Sequence, residues 1–281
     1  MPPQTHGRDA RATWHGRPAH VLGGTGVPPV DDLCEAASRC ARENGAHRLT
    51  PGANAGWICG MLQTGDSFYP TGSYAHSFGL EGLVQEGVVR DRDTLRAFLH
   101  HAAIPALRHN ELPLAAHAWH AFDEPDWKLI GELCVLSSAL KTSREARTAS
   151  ENIGRQRTEL AVNLRDCSLA REFLRHAAAN AWPSAAPVAA ALEGHAIGAP
   201  VDGVLAGVYY ATLASLLSAA MKILRLGQNN AHSLLTEALA LAPEIIASSA
   251  ATSIDDIGWF NPWLDIAAAR HETADARMFI S

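Results

Sequence analysis

The sequence predicts an all-α protein, and three observations carry that reading. From Ala53 onward Ala, Leu, Glu and Arg dominate, apolar positions recur at intervals of three and four, and alternating runs of β-branched residues are absent. The expected architecture is a single-domain helical bundle of about ten or more helices around a central apolar helix. That central helix is placed at Gly203 to Met221, which runs nineteen residues without a charge. Its length reaches that of a transmembrane helix. Its Gly203, Gly207, Thr212, Ser215 and Ser218 make it only moderately apolar, however, and its neighbours are amphipathic, so it is assigned to a bundle core in which small residues let other helices approach closely.

The elements follow in order. Residues 1 to 30 are rich in Pro, Gly, His and Arg, which predicts a loose extension. A short helical pattern with Leu33, Ala36, Ala37 and Cys40 on one stripe runs from Asp31 to about Asn44, until Pro51 and Gly52 interrupt it. The extension, largely Pro- and Gly-rich and expected to be poorly ordered, is therefore drawn at 1 to 50 and the helical domain at 51 to 281. Apolar spacing within that domain predicts helices at Ala53 to Leu62, Ser73 to Gly87, Asp91 to Arg108, Leu112 to Phe122, Trp127 to Leu140 and Ser143 to Asn163. It predicts others at Leu169 to Ala179, Val188 to Glu193, Val201 to Leu226, Asn229 to Leu239, Pro243 to Ser249 and Trp263 to Arg270.

Composition narrows the function. With 281 residues and 47% hydrophobic content the chain has ample material for a core. A net charge of -6 and a pI near 6.1 offer no basic face for nucleic acid. The five cysteines are scattered without a CxxC pair, which disfavours a disulfide framework or a zinc knuckle and points to a reducing cytoplasm. No apolar stretch of signal-peptide length occurs before Val30.

Several chemistries lack their motifs. Gly23-Gly24-Thr25-Gly26 is followed by Val27 and prolines rather than by the lysine and helix of a P-loop. The fourteen histidines include no HxH or HExxH, His100 and His101 point in different directions on a helix, and nothing completes a ligand set around His117 and His120. No G-x-S-x-G marks a nucleophile. The expectation is a non-enzymatic chain with no metal site or cofactor of its own.

The most informative stretch is Phe68 to Glu81. Pro70 and Gly72 make a turn, Thr71 or Ser73 can cap the helix behind it, and Leu80, Leu83, Val84 and Gly87 share one face with Glu81 at its border. Composition alone fits a plain capped amphipathic helix. Lys222, the first charge after the nineteen uncharged residues, fits a surface marker as well as a site. Arg144, Glu145 and Arg147 fit a solvated helix face.

The order of residues adds a resemblance. Pro70, Gly72, Tyr74, Ser77, Gly79, Leu80 and Glu81 match the P-x-G-x-Y-x-x-S-x-G-L-E signature of the urease accessory protein F (UreF) family. In the same order come Glu111-Leu112-Pro113-Leu114, Ser143-Arg144-Glu145-Ala146-Arg147, Lys222 with Gly227-Gln228, Arg270-His271-Glu272-Thr273 and Arg277-Met278-Phe279-Ile280-Ser281. The likeness spans Ala53 to Ser281. It departs where Ile280 stands in place of a basic residue and where Phe68-Tyr69 replaces smaller aliphatics.

The resemblance implies an all-α adaptor, able to form a homodimer, that binds a UreD/UreH-type accessory protein and a UreG-type GTPase. That assembly docks on apo-urease and inserts nickel when GTP is hydrolysed, with nickel and GTP handled by the partners. The family member acts as a regulator of the GTPase or as part of a conduit for the metal. The partner-binding residues so implied are Pro70, Gly72, Tyr74, Ser77, Gly79, Glu81, Arg144, Glu145, Arg147, Lys222, Gln228, Arg270, His271, Glu272, Arg277, Phe279 and Ser281, with the tail 271 to 281 ordering against a partner. A different class stays open from the residues alone: a small helical enzyme or metal-binding protein using Glu81, Glu145 and histidines inside the bundle, although repeated Glu-x-x-His pairs are missing.

Overall fold

The computed structural model describes residues 55–73, 76–271 and 277–279. The extension at 1 to 50, the helical pattern at Asp31 to Asn44, and Tyr74, Glu272 and Ser281 lie outside the described residues.

Among the described residues the regular structure is entirely helical. It comprises α1 (Gly56–Gly65), α2 (Leu80–Gln85), α3 (Arg92–Phe98), α4 (Ile104–Ala106), α5 (Leu112–Asp123), α6 (Trp127–Ala139) and α7 (Arg144–Arg165). After these come α8 (Ser168–Asn180), α9 (Ala186–Ile197), α10 (Val201–Ile223), α11 (Gln228–Leu239), α12 (Ala242–Ala250) and α13 (Pro262–His271). Local chemistry sets many of the starts. Asp91 accepts the Thr94 N–H at 2.9 Å while Thr94 Oγ1 accepts the Asp91 N–H at 3.0 Å, a capping box that opens α3. Asp126 and Ser143 cap α6 and α7 with their side chains alone, accepting the N–H groups of Leu129 and Ala146.

The segment from Arg92 to Asp123, expected as two helices, is one rod. Two π-helical turns, Leu99–Ala103 and Leu107–Glu111, carry it past Pro105 and Pro113. In the second turn the Leu112 N–H bonds to Leu107 O, which frees the Arg108 carbonyl for the Ser249 hydroxyl at 2.9 Å. Pro113 has no N–H, so the His109 carbonyl takes the Gly258 N–H at 3.0 Å. The rod is thus stitched to α12 and to the segment before α13 by the groups its π turn releases.

Two cores fill the bundle. One joins α2 to α5 with α10, α11 and α12 around Leu95, Leu99, Leu112, Tyr209 and Leu213; the other joins α5 to α9 around Phe122, Ile130, Leu133, Phe173 and Leu192. The helix enclosed along most of its length is α9, buried without interruption from Pro187 to Gly194. By contrast α10 presents Leu205, Tyr209, Leu213, Leu216 and Ala220 to the first core and exposes Asp202, Ala206 and Tyr210 on its other side. Among the described residues it is the one helix long and apolar enough to cross a membrane by length and composition, and half of its apolar window is buried in the protein. Trp57 and Met61 of α1 sit over its Gly203 and Gly207, as the small residues there predict.

One expected helix is shortened. Instead of Ser73 to Gly87, the helix covers only Leu80–Gln85, because Phe78 and Gly79 adopt left-handed φ values of 52° and 82° that no helix can continue through. The capping role expected of Thr71 or Ser73 falls to Ser77, whose Oγ accepts the Glu81 N–H at 3.3 Å. Thr71 and Ser73 bond to each other at 3.1 Å, and the Ser73 carbonyl accepts the Ser215 hydroxyl of α10. The signature is therefore a pinned loop followed by less than two helical turns.

Candidate functional site

That loop aims the Glu81 side chain inward. With Gly79 left-handed, α2 starts at an angle that presses it on α13: a Cβ on Gly82 would lie 2.8 Å from the Ala267 carbonyl oxygen, so glycine permits the approach. Glu81, expected at a surface border, is 5% exposed. The expectation placed it on a longer helix with Phe78; ending that helix at Leu80 turns the carboxylate toward the chain's own C-terminal segment.

Five nitrogens from four residues converge on two carboxylates. Glu81 Oε1 accepts the Met278 N–H at 2.8 Å, and Oε2 accepts the Phe279 N–H at 3.0 Å and lies 2.9 Å from His271 Nε2. The other imidazole nitrogen, Nδ1, lies 3.1 Å from Glu145 Oε2, and the Arg277 guanidinium donates to Glu145 Oε1. His271, the last residue of α13, is 2% exposed. Both its nitrogens face carboxylate oxygens, so the imidazole ties Glu81 to Glu145. Burial pushes the Glu81 carboxyl up, but the Met278 N–H, His271 and the Phe279 N–H together hold it below the usual carboxylate range. Lys222 Nζ stands 5.4 Å from the Phe279 ring centroid, a cation–π contact.

Phe279, expected to anchor in a partner, is buried against its own chain. Within the chain itself, the Glu81 carboxylate supplies the acceptors for the backbone N–H groups of Met278 and Phe279.

The remaining nominated residues separate. Pro70, Gly72 and Arg144 are exposed and line an open groove with Thr71, His76 and Glu145, directly beside the buried network. Arg147 donates to the carbonyls of Lys141 and Thr142 and so closes the α6–α7 turn. Arg270 pairs with Glu86 at 2.8 Å on the surface. Gln228 stands exposed at the start of α11 and takes no part in the described contacts of the network. Ser77 is fully buried beneath the loop. Glu111 pairs with Lys141 at 2.7 Å, and Leu112 and Leu114 enter the cores. Among the described residues no three His, Cys, Asp or Glu side chains are grouped to hold a metal ion.

Two features went unnoticed in the sequence. His76 is buried next to Glu145, and burial lowers its pKa while the Glu145 charge partly offsets the shift. Glu193, on the enclosed α9, binds Tyr69 and Arg157. These partners lie 124 and 36 residues from Glu193, so spacing carries no signal for them.

The network thus draws its members from the signature loop, the start of α7, the end of α10 and the C-terminal segment. A UreF family model matches residues 89–239, more than half of the chain. The chain belongs to the UreF family. Among its relatives, urease accessory protein UreF 1 of Brucella melitensis is 28% identical over 240 residues, which cover 84% of this chain and 95% of that protein. Urease accessory protein UreF of Paenarthrobacter aurescens is 28% identical over 221 residues, covering 79% and 96%. UreF is a family of accessory proteins rather than of enzymes.

Proposed function

We propose that this UreF chain is a cytoplasmic adaptor that bridges a UreD/UreH-type accessory protein and a UreG-type GTPase, and so supports GTP-dependent delivery of nickel to apo-urease. Nickel and GTP are handled by those partners, and the chain works through surfaces, as a homodimer where the assembly requires two copies. The observation that carries the reading is the Glu81 carboxylate, which gathers the C-terminal backbone and His271 at the point where the signature loop, α7 and the end of α10 meet. A tail docked there gives a face on which Arg144 lines the groove at Pro70 and Gly72, while the exposed Arg277 is held by Glu145 and the exposed Lys222 by the Phe279 ring.

The test is co-purification of the tagged chain with a UreD/UreH-type protein and a UreG-type GTPase, with GTP hydrolysis followed in each fraction. Joint capture is expected, with turnover only where the GTPase is present. Failure to retain either partner, or GTP turnover by the purified chain alone, contradicts the reading.

A further inference from the structure

We infer that Tyr69, Glu193 and Arg157 form a buried lock that positions the signature loop, with Tyr69 as the positioning residue; the inference deepens the adaptor reading and rests on it. Glu193 is 1% exposed on α9, the helix buried along most of its length. One of its carboxylate oxygens accepts the Tyr69 hydroxyl and the other accepts the Arg157 guanidinium. Tyr69 immediately precedes Pro70, and Arg157 lies on α7, the helix that carries Arg144 and Glu145 into the candidate site.

The chemistry is costly where packing alone would serve. A buried carboxylate loses its hydration, and replacing such a pair by apolar side chains of similar volume is often neutral or stabilising. Position is what the polar choice adds, because directional hydrogen bonds assign one Glu193 oxygen to Tyr69 and the other to Arg157. The loop is then fixed at three points: Tyr69 on α9 at its start, the Ser73 carbonyl on Ser215 of α10 in its middle, and Glu81 on the C-terminal segment at its end. Burial, the Glu193 charge and the hydrogen bond all push the Tyr69 hydroxyl well above its ordinary pKa, so it stays a donor.

The deciding measurement is amide hydrogen exchange on the full chain carrying Tyr69→Phe, which leaves the Glu193–Arg157 pair in place. Amides in residues 66–73 are expected to exchange at least about tenfold faster while those of 187–194 stay as in the wild type. The apolar replacement Tyr69→Phe with Arg157→Met and Glu193→Leu is expected to fold and to show the same selective loosening. Unchanged exchange in 66–73, or equal acceleration in α9, overturns the lock. Capture of the UreD/UreH-type protein by the wild-type chain is measured alongside: its absence defeats the adaptor reading, whereas the exchange pattern judges the lock by itself.

Discussion

Glu81 and His76 give the candidate site its pH dependence, and the two act in separate windows. The His76 pKa is lowered by burial from its ordinary 6.5, partly offset by Glu145, so the unfolded chain takes up the proton first as pH falls. Its contribution to stability is present above about 6.5 and is lost below it. Glu81, held below its ordinary 4.5, contributes stability present above that value and lost as pH falls through its lower folded value. Urea unfolding across a pH series should therefore show one decline starting near the histidine range and a further one in the carboxylate range. His76→Gln should remove the first, and a wild-type profile flat between pH 7 and pH 5 would contradict the assignment. The residues of this network are legible through motif order rather than through spacing: the motifs mark Glu81, Glu145, His271, Arg277, Phe279 and Lys222, but not that Glu81, His271 and Phe279 are buried. Burial of Glu81 depends on the left-handed turn at Phe78 and Gly79, which composition does not reveal. Tyr69, Arg157 and Glu193 carry no motif and meet only in three dimensions.

Among the elements, α2 and α13 decide whether the tail can dock. A methyl at Gly82 meets the Ala267 carbonyl oxygen, a backbone atom that cannot rotate away, so Gly82→Ala should cost about 1–3 kcal/mol and separate the two helices. Thermal unfolding and exchange of the Met278 and Phe279 amides measure both effects; wild-type values for both would show that the contact yields freely. Helix positions were well legible from apolar spacing, as α6, α7, α8 and α11 show. The misplaced elements have local causes. Gly79 ends a helix that the apolar pattern continues, and the π turn at Leu107–Glu111 joins the two helices expected at Asp91 to Arg108 and Leu112 to Phe122. Ala-rich α9 and α10 are both apolar around their circumference, so periodicity does not rank their burial, and the structure gives both of them central places in the bundle.

At the scale of the whole molecule, Asn54–Ser281 forms a compact unit by itself, with both cores inside it. Deleting residues 1 to 50 should leave its helicity and melting temperature nearly unchanged; a large drop would show that the domain boundary is misplaced. We propose that the tail docked on Glu81 builds the face through which this UreF protein acts as a urease accessory protein. Glu81→Ala removes the acceptor for two backbone N–H groups and His271, each worth roughly 1–3 kcal/mol when left buried without a partner, a loss limited by release of the tail into water. The most direct test is urease activity in cells lacking their own UreF, supplied with either the wild-type chain or the Glu81→Ala variant at equal soluble levels. Restoration by the wild type and its loss in the variant, with both cores still folded, is the predicted result; full activation by Glu81→Ala would contradict the account.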